Sequence, residues 1–524
     1  AIASEYYLGM IEVSNPPKSP KRLAKSQEKA INYFKNYIEK APDGRFALKS
    51  IEEIIKLDKS LSNYDNLLIA KGYYANGEFE KSKNFLNKTT LAESWSDFAK
   101  NEYKLGNKEK GNYYTELGLK QHAGNTAQED VYEVIDNYVA AAATRTEGIT
   151  KLVNLGVSST GADYIAYLNC NEVVDSSVKE ACFRSLYEKY PNGQFSADSL
   201  YNLFITKYMQ KKYLDAQRLG FLHLKKFPNT KSSPAVTYFM GKIAYKLKHY
   251  ESANNYYKQV LASHPDSYYA FRANYNLNKD DGMFPFLELN EKPVVFPYKK
   301  SLDNNLVVKL AYLKDYDLVE ELCKHDKFIQ SWIAYQKGNY TLSAYLARNG
   351  MEELNVKPSF EDLRWRLVYP VIYYNDVKKY AGQTGNNAPL MLSLAREESY
   401  FDPLAQSMVG ASGLMQIMPS TAREVNAKMG LGMNVSEALF NPYMNIKLGN
   451  YYYLFLKRNL EGYDISSVAA YNGGIGSIQR WKTSLHYNDA DEFVEQIPYP
   501  ETKNYVKKVF RTYWNYIRIY NGND

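Results

Sequence analysis

An interval of 37 residues recurs through the middle of the chain and leaves it few ways to fold. Tyr187, Leu224 and Leu261 stand at that interval, and so do Pro191, Pro228 and Pro265. Tyr208 and Tyr245, Tyr213 and Tyr250, and Ala216 and Ala253 repeat at the same step. Apolar positions at helical spacing, each set closed by a proline that forbids the helix to continue, describe a helix–turn–helix unit. A tyrosine or a small residue is expected to pack inside each hairpin. Looser copies occupy residues 72–79 and 332–340. One such hairpin cannot bury its own apolar face, so neighbouring copies must stack into a curved helical array.

The repeat is similar to tetratricopeptide-like units, although its period is longer than theirs and its signature residues are incomplete. Around residues 285–300 the pattern breaks at Pro285, Pro293 and Pro297, which reads as a bend before a further helical segment. After Tyr369-Pro370 the chain becomes richer in Gly, Met, Ser and Asn at short spacing. The expected division is therefore a helical superhelix over 1–290, a linker helical domain over 291–368 and a third domain over 369–524. A length of 524 residues calls for several cores in any case.

Composition narrows the function classes. The net charge of +7 is spread along the chain, and no dense Lys/Arg block marks a nucleic-acid partner. No apolar run is long enough for a transmembrane segment. The first residue is Ala1, which fits a mature form after signal removal or simply a starting point. No His/Cys cluster has metal-ligand spacing, so neither a metal nor a cofactor is expected. Cys170 and Cys182 either close a short loop or are buried thiols, and Cys323 is left over. The 50 tyrosines suit helix packing and sugar-stacking surfaces alike.

Chemistry concentrates near residue 398. Asn387 is a good N-cap and Pro389 suits a first turn, so a helix is expected from there to about Ser399. Leu390, Met391, Leu392, Leu394 and Ala395 form its apolar stripe. At about 100° per residue, Glu398 falls within roughly 20° of that stripe's centre and Glu397 roughly 110° away. A carboxyl facing the core is disfavoured as an anion, so Glu398 is expected to hold its proton near neutral pH. Asp402-Pro403 should end the helix. Residues 410–413 should make a tight turn that lets a ligand approach the backbone. Gln416, beside Met415 and Met418, offers a polar grip and an apolar slot of the kind an N-acetyl group needs. Asn441 and Ser466 are candidate caps of two later helices, the second ending at Tyr471-Asn472. Glu501 and Tyr505 lie near the start of the last. Taken singly, each of these also reads as packing or as a helix-end charge.

In order, the segments Glu398-Ser399, residues 410–419 (GASGLMQIMP), Ala470-Tyr471-Asn472 and residues 501–506 (ETKNYV) closely resemble the soluble lytic transglycosylases, the goose-lysozyme-like enzymes of glycoside hydrolase family 23. The likeness covers roughly 369–515 at motif level and extends to the large superhelical form in architecture. It implies an all-α fold, in which a U-shaped superhelix and a linker domain close a ring that carries a lysozyme-like catalytic domain. It further implies Glu398 as the single acid/base. Ser407, Gln416, Met418 and Tyr471 would line sugar subsites, with Tyr471 bonded to the carboxyl. Asn472, Ser399, Glu501 and Tyr505 would be supporting groups. Lys503 departs from the family, which more often has Arg there. The implied substrate is peptidoglycan in the periplasm, with cell-wall synthesis enzymes as candidate partners.

Most glycosidases use two carboxylates. No second one stands out here, since Glu397 points off the stripe and Asp402 sits at the helix stop. The missing second acid, together with the resemblance to the lytic transglycosylases, favours a non-hydrolytic reaction. Glu398 protonates the oxygen between N-acetylmuramic acid and N-acetylglucosamine, the sugar's own acetamide supports the anomeric carbon, and the muramyl O6 closes a 1,6-anhydro ring. Two alternatives stay open: a muramidase that hydrolyses the same bond, and a helical-repeat scaffold that binds glycan without cutting it.

Overall fold

The structure is a computed structural model, and it describes residues 2–58, 60–278, 288–297 and 306–521. Pro285 lies outside the described residues. Among those described there are 30 α-helices and no β-strand beyond isolated bridges at Gln406–Ser412 and Ser412–Ile417. The fold is all-α, as the helical repeats and the resemblance together imply. The chain forms two compact units, Ala1–Ser232 and Ser233–Asp524.

The three repeat prolines fall where the spacing places them. Pro191, Pro228 and Pro265 each follow a helix by two residues, after Ser176–Lys189, Tyr213–Lys226 and Tyr250–Ser263. What the spacing of the repeats does not announce is how six of the hairpins turn. At Gly77, Gly106, Lys211, Lys248, Lys314 and Gly338 the backbone is left-handed, with φ between 60° and 79°. In each case the next residue's N–H reaches back to the carbonyl five residues earlier, as in Lys212 to Lys207 (3.0 Å) and His249 to Ala244 (2.8 Å). This is the Schellman closure of a helix end, repeated six times. Three of the six positions are lysine, which has a Cβ to accommodate there.

In the first unit, stacked hairpins bury successive apolar clusters. One lies around Phe34, Ile51 and Ile69, a second around Trp95, Val134 and Ile149, and a third around Phe183, Leu186 and Leu200. Cys170 and Cys182 are joined as a disulfide that ties helix Ala162–Glu172 to helix Ser176–Lys189. Ala216 and Ala253 are fully buried inside their hairpins, and so is Tyr208. Tyr245 and Tyr250 depart from the expected packing. Both are exposed, and they meet edge-on at the surface with ring centroids 5.2 Å apart.

In the second unit, helices Ser233–Lys246 and Tyr268–Asn278 pack with helix Ala490–Gln496 through a buried ion cluster. Arg272, Lys242 and the Tyr238 hydroxyl all donate to Asp491. Burial alone would raise the Asp491 carboxyl, but the two cations outweigh it and hold the group far below the usual range. Residues 306–352 form two more hairpins with the same turn. The last helix, Pro500–Asn521, packs along helix Ala388–Ser399.

Candidate active site

Helix Ala388–Ser399 starts and stops close to its predicted bounds. The Asn387 side chain accepts from the Leu390 N–H at 3.1 Å, which caps the first turn. Its stop differs in cause from the expectation. Tyr400 and Phe401 take left-handed backbone (φ 50° and 65°), so the helix closes before Pro403 comes into play.

The helix is buried all round rather than on one stripe. Arg396, on the side read as polar, is 1% exposed. Its guanidinium donates to the Val368 carbonyl, pairs with Glu397 at 2.5 Å and lies over the rings of Tyr369 and Tyr400. Glu397 also accepts from the Thr512 hydroxyl (2.6 Å), so its carboxylate is committed to structure.

Glu398 is half-buried and meets a different environment. Burial pushes its carboxyl up to about 8, and the charges of Glu397 and Glu501 add to the rise; a hydrogen bond from Tyr505 pulls the other way. That bond, from the Tyr505 hydroxyl to Glu398 Oε1 at 2.5 Å, overturns one expectation. Tyr471 was expected on the carboxyl, but its hydroxyl donates to the Met415 carbonyl at 2.9 Å. Two considerations explain the exchange. Tyr471 rises from the end of helix Asp464–Gly473 toward the 413–417 turn, whereas Tyr505 sits on the long helix that runs beside Glu398. Tyr471 still senses the Glu398 charge, as does Tyr452, whose ring lies 5.1 Å from that of Tyr471. One tyrosine thus bonds to the carboxyl and two more lie near enough to feel its charge. Burial first, and then the Glu424 and Glu398 charges, push the Tyr452 hydroxyl up to about 12, so it stays protonated.

The turn after the helix is held from within. Gly413 has φ +77, and a Cβ there would stand 2.1 Å from the Leu439 carbonyl and 2.4 Å from Asn445 Nδ2. The closeness at this glycine therefore serves the protein's own backbone, not a ligand as expected. Asn445 is fully buried. It accepts from the Met415 N–H and donates to the Ser412 and Leu439 carbonyls, which fixes the turn on three sides. Ser399 donates to the Leu414 carbonyl (2.8 Å) and so joins the acid's helix to the same turn. Ser407 caps a small loop by accepting from the Ala411 N–H.

Gln416 also differs from its reading. Both donors of its amide go to backbone carbonyls, Ala405 at 3.0 Å and Gly413 at 2.9 Å, leaving its oxygen as the group it can offer a ligand. Met415 is core, and Met418 is 36% exposed. Asn472 is exposed; it accepts from Thr502 at 2.7 Å and reaches Glu501 at 3.4 Å. Ser466 is not a cap, because its helix begins two residues earlier at Asp464. At the C-terminal end of the Glu398 helix lies a cleft of about 760 Å³. Tyr340, Thr341, Arg348, Tyr373, Tyr400 and Asp402 are among the residues that line it, and Glu398 is not.

Sequence reasoning missed Tyr452, Asn445 and Thr502 as parts of the site. Tyr452 lies in a run of three tyrosines, which hid it. Asn445 lies four residues after the Asn441 cap, and a buried asparagine mid-helix was the available signal. No group of three or more His, Cys, Asp or Glu residues among those described could hold a metal ion.

Fold and site together define a helical-repeat protein whose C-terminal part holds a glutamate of raised proton affinity beside a tyrosine hydroxyl. Residues 376–494 match the family model described as the transglycosylase SLT domain. The chain is 34% identical over 186 residues to the soluble lytic murein transglycosylase of Escherichia coli K12, a match covering 34% of this chain and 29% of that protein. It is 33% identical over 171 residues to the membrane-bound lytic murein transglycosylase C of Histophilus somni, covering 28% and 46%. The matched part thus spans less than half the length of these curated relatives. Among solved structures, the 70-kDa soluble lytic transglycosylase in complex with bulgecin A shares the fold (TM-score 0.53, 17% identity, 100% of this chain and 92% of that one). So does an inactive mutant of the lytic transglycosylase Slt from Pseudomonas aeruginosa (TM-score 0.52, 16% identity, 99% and 82%).

Proposed function

We propose that the chain is a peptidoglycan lytic transglycosylase that cleaves the bond between N-acetylmuramic acid and N-acetylglucosamine without water. The observation that carries this reading is Glu398, held at about 8 with no second carboxylate, among the described residues, poised to act beside it. Glu397 is spent on Arg396 and Thr512, and Glu501 stands at the surface next to Asn472. At pH 7 a group with that value is about nine-tenths protonated, which suits a general acid.

Glu398 gives its proton to the glycosidic oxygen as the bond breaks. The substrate's acetamide oxygen steadies the positive charge at the anomeric carbon. Glu398, now a carboxylate, takes the proton from the muramyl O6 as that oxygen attacks the anomeric carbon and closes the 1,6-anhydro ring. An aligned intramolecular nucleophile has an effective molarity of about 10⁵ M or more, which favours ring closure over attack by water. Tyr505 orients the acid. Ser407, Met418, Tyr471 and the oxygen of Gln416 border the sugar subsites, and Ser399, Asn472 and Glu501 support them. In this reading the repeats of 1–290 and the linker of 291–368 govern which strands reach the catalytic domain of 369–524, and the protein works in the periplasm.

The deciding measurement is product mass. Purified peptidoglycan digested with the protein should release disaccharide-peptides one water lighter than hydrolytic products. Products of full hydrolytic mass would make it a muramidase, and no cleavage at all would leave a glycan-binding scaffold.

A further inference from the structure

Glu495, outside the acid's immediate surroundings, ties three helices together by its side chain and backbone. Its side chain is 3% exposed and pairs with Lys507 at 2.8 Å. The Tyr269 hydroxyl, from helix Tyr268–Asn278, donates to the same carboxylate oxygen at 2.5 Å. Lys507 also donates to the Tyr269 oxygen at 2.8 Å and lies over its ring, so carboxylate, ammonium and phenol form a closed triangle. The backbone carbonyl of Glu495 accepts from Lys503 at 2.5 Å. Lys503 and Lys507, four residues apart, share one face of helix Pro500–Asn521. Tyr505 stands between them in sequence and therefore roughly 160° around the helix from each. It emerges on the opposite side, where its hydroxyl meets Glu398.

We propose that Glu495 is a positioning residue for the reaction at Glu398. By fixing Lys503 and Lys507 on one face of the last helix, and being fixed itself by Tyr269, it sets the helix rotation that lays the Tyr505 hydroxyl on the acid. This rests on the reading of Glu398 as the general acid. A buried ion triangle is a suitable anchor because its partners are short-range and directional, so a small roll of the helix breaks them. Burial alone would raise the Glu495 carboxyl, but Lys507 and Lys503 outweigh it and hold the group below the usual range, so it stays charged at neutral pH. Tyr268 also senses its charge. Around Glu398 the groups to be reckoned with are Glu397 on its own helix, Tyr505 and Glu501 on the last helix, Tyr471 on helix Asp464–Gly473 and Tyr452 on helix Pro442–Asn459.

The consequence is a linked pH profile. The Tyr505 bond lowers the proton affinity of Glu398, so loosening that bond should move the basic limb of the rate profile upward. The experiment uses the full chain, purified peptidoglycan and pH–rate profiles for Glu495→Gln, Tyr505→Phe and the double variant. Misplacing a catalytic contact by about 1 Å can cost as much as 10²-fold, so Glu495→Gln should lose roughly ten-fold or more in kcat with little change in KM. Its basic limb should shift in the same direction as in Tyr505→Phe, and adding it to Tyr505→Phe should change neither rate nor limb further. If Glu495→Gln does not fold, Tyr269→Phe removes only one hydroxyl from the triangle and should show the same limb shift. Equal rate losses in both backgrounds with an unmoved limb would mean a merely structural role and overturn the proposal. An unmoved limb in Tyr505→Phe itself would instead show that Glu398 does not set that limb, and the reading beneath the proposal would fall first.

Discussion

On the reading proposed for Glu398, stability and function are in opposition. Its carboxyl titrates near 8 in the fold, against an ordinary value of 4.5. Between those values the folded state holds one proton that the unfolded state has lost, so stability falls as pH rises through this window. Glu398→Gln keeps an acceptor for Tyr505 but has no charge to bury. It should abolish turnover, a loss on the order of 10²-fold or more, while glycan binding persists. By chemical denaturation at pH 9 the variant should be more stable than the parent by on the order of 2–4 kcal/mol, with the difference vanishing below pH 4.5. A variant no more stable at pH 9 than the parent would mean the carboxyl ionises without strain. That the Glu398 carboxyl would be pushed up was an expectation one helix could raise, although the helix is buried all round and its stripe alone does not single this residue out. Which tyrosine touches it was not legible there. That depends on how helices about 70 and 100 residues further along the chain pack against it, and one-dimensional spacing carries no such information.

At the scale of elements, prolines and periodicity gave away where hairpins end but not how they turn. The Schellman turns at Lys211, Lys248 and Lys314 lack the glycine that would have marked them, as Gly77, Gly106 and Gly338 do. A side chain in left-handed backbone costs about 1–2 kcal/mol, and glycine's extra chain entropy returns about 0.5–1 of that. Lys248 is exposed, and Lys248→Gly should therefore stabilise its hairpin by about 0.5–1 kcal/mol, read as a rise in denaturant midpoint at unchanged slope. Gly413 is the opposite case. Its turn was recognised from Gly410 and Gly413 in the sequence, but the reason for the glycine was misassigned, since Leu439 and Asn445 are more than 20 residues downstream. Gly413→Ala should cost about 2–5 kcal/mol through left-handed strain plus overlap with a carbonyl. Activity should fall with it, because the same turn carries Met415 and Gln416. Retained stability in Gly413→Ala would show that the 439–445 segment can withdraw.

At the scale of the molecule, the disulfide and the acid lie in different compact units, Ala1–Ser232 and Ser233–Asp524. Whether Cys170 and Cys182 pair could not be read from spacing, because both a buried thiol pair and a bridge satisfy it. Here the bridge closes a loop across two adjacent helices, with the cysteines 12 residues apart. The chain-entropy account assigns such a loop about 3 kcal/mol, acting mainly on the unfolded chain. For a unit of this size that corresponds to a drop in melting temperature of roughly 6–12 °C. Calorimetry with and without reductant should show a shift of this order in the unfolding of the unit that carries the bridge. Cys182→Ser should reproduce it and separate it from any effect of the reductant on Cys323. Below the shifted transition, turnover of short soluble glycans should match the untreated protein, because nothing around Glu398 is altered. Loss of turnover at such temperatures would mean that the bridge acts on the site as well as on the repeats. An unchanged melting profile would mean that the reduced chain already keeps these two helices paired when unfolded.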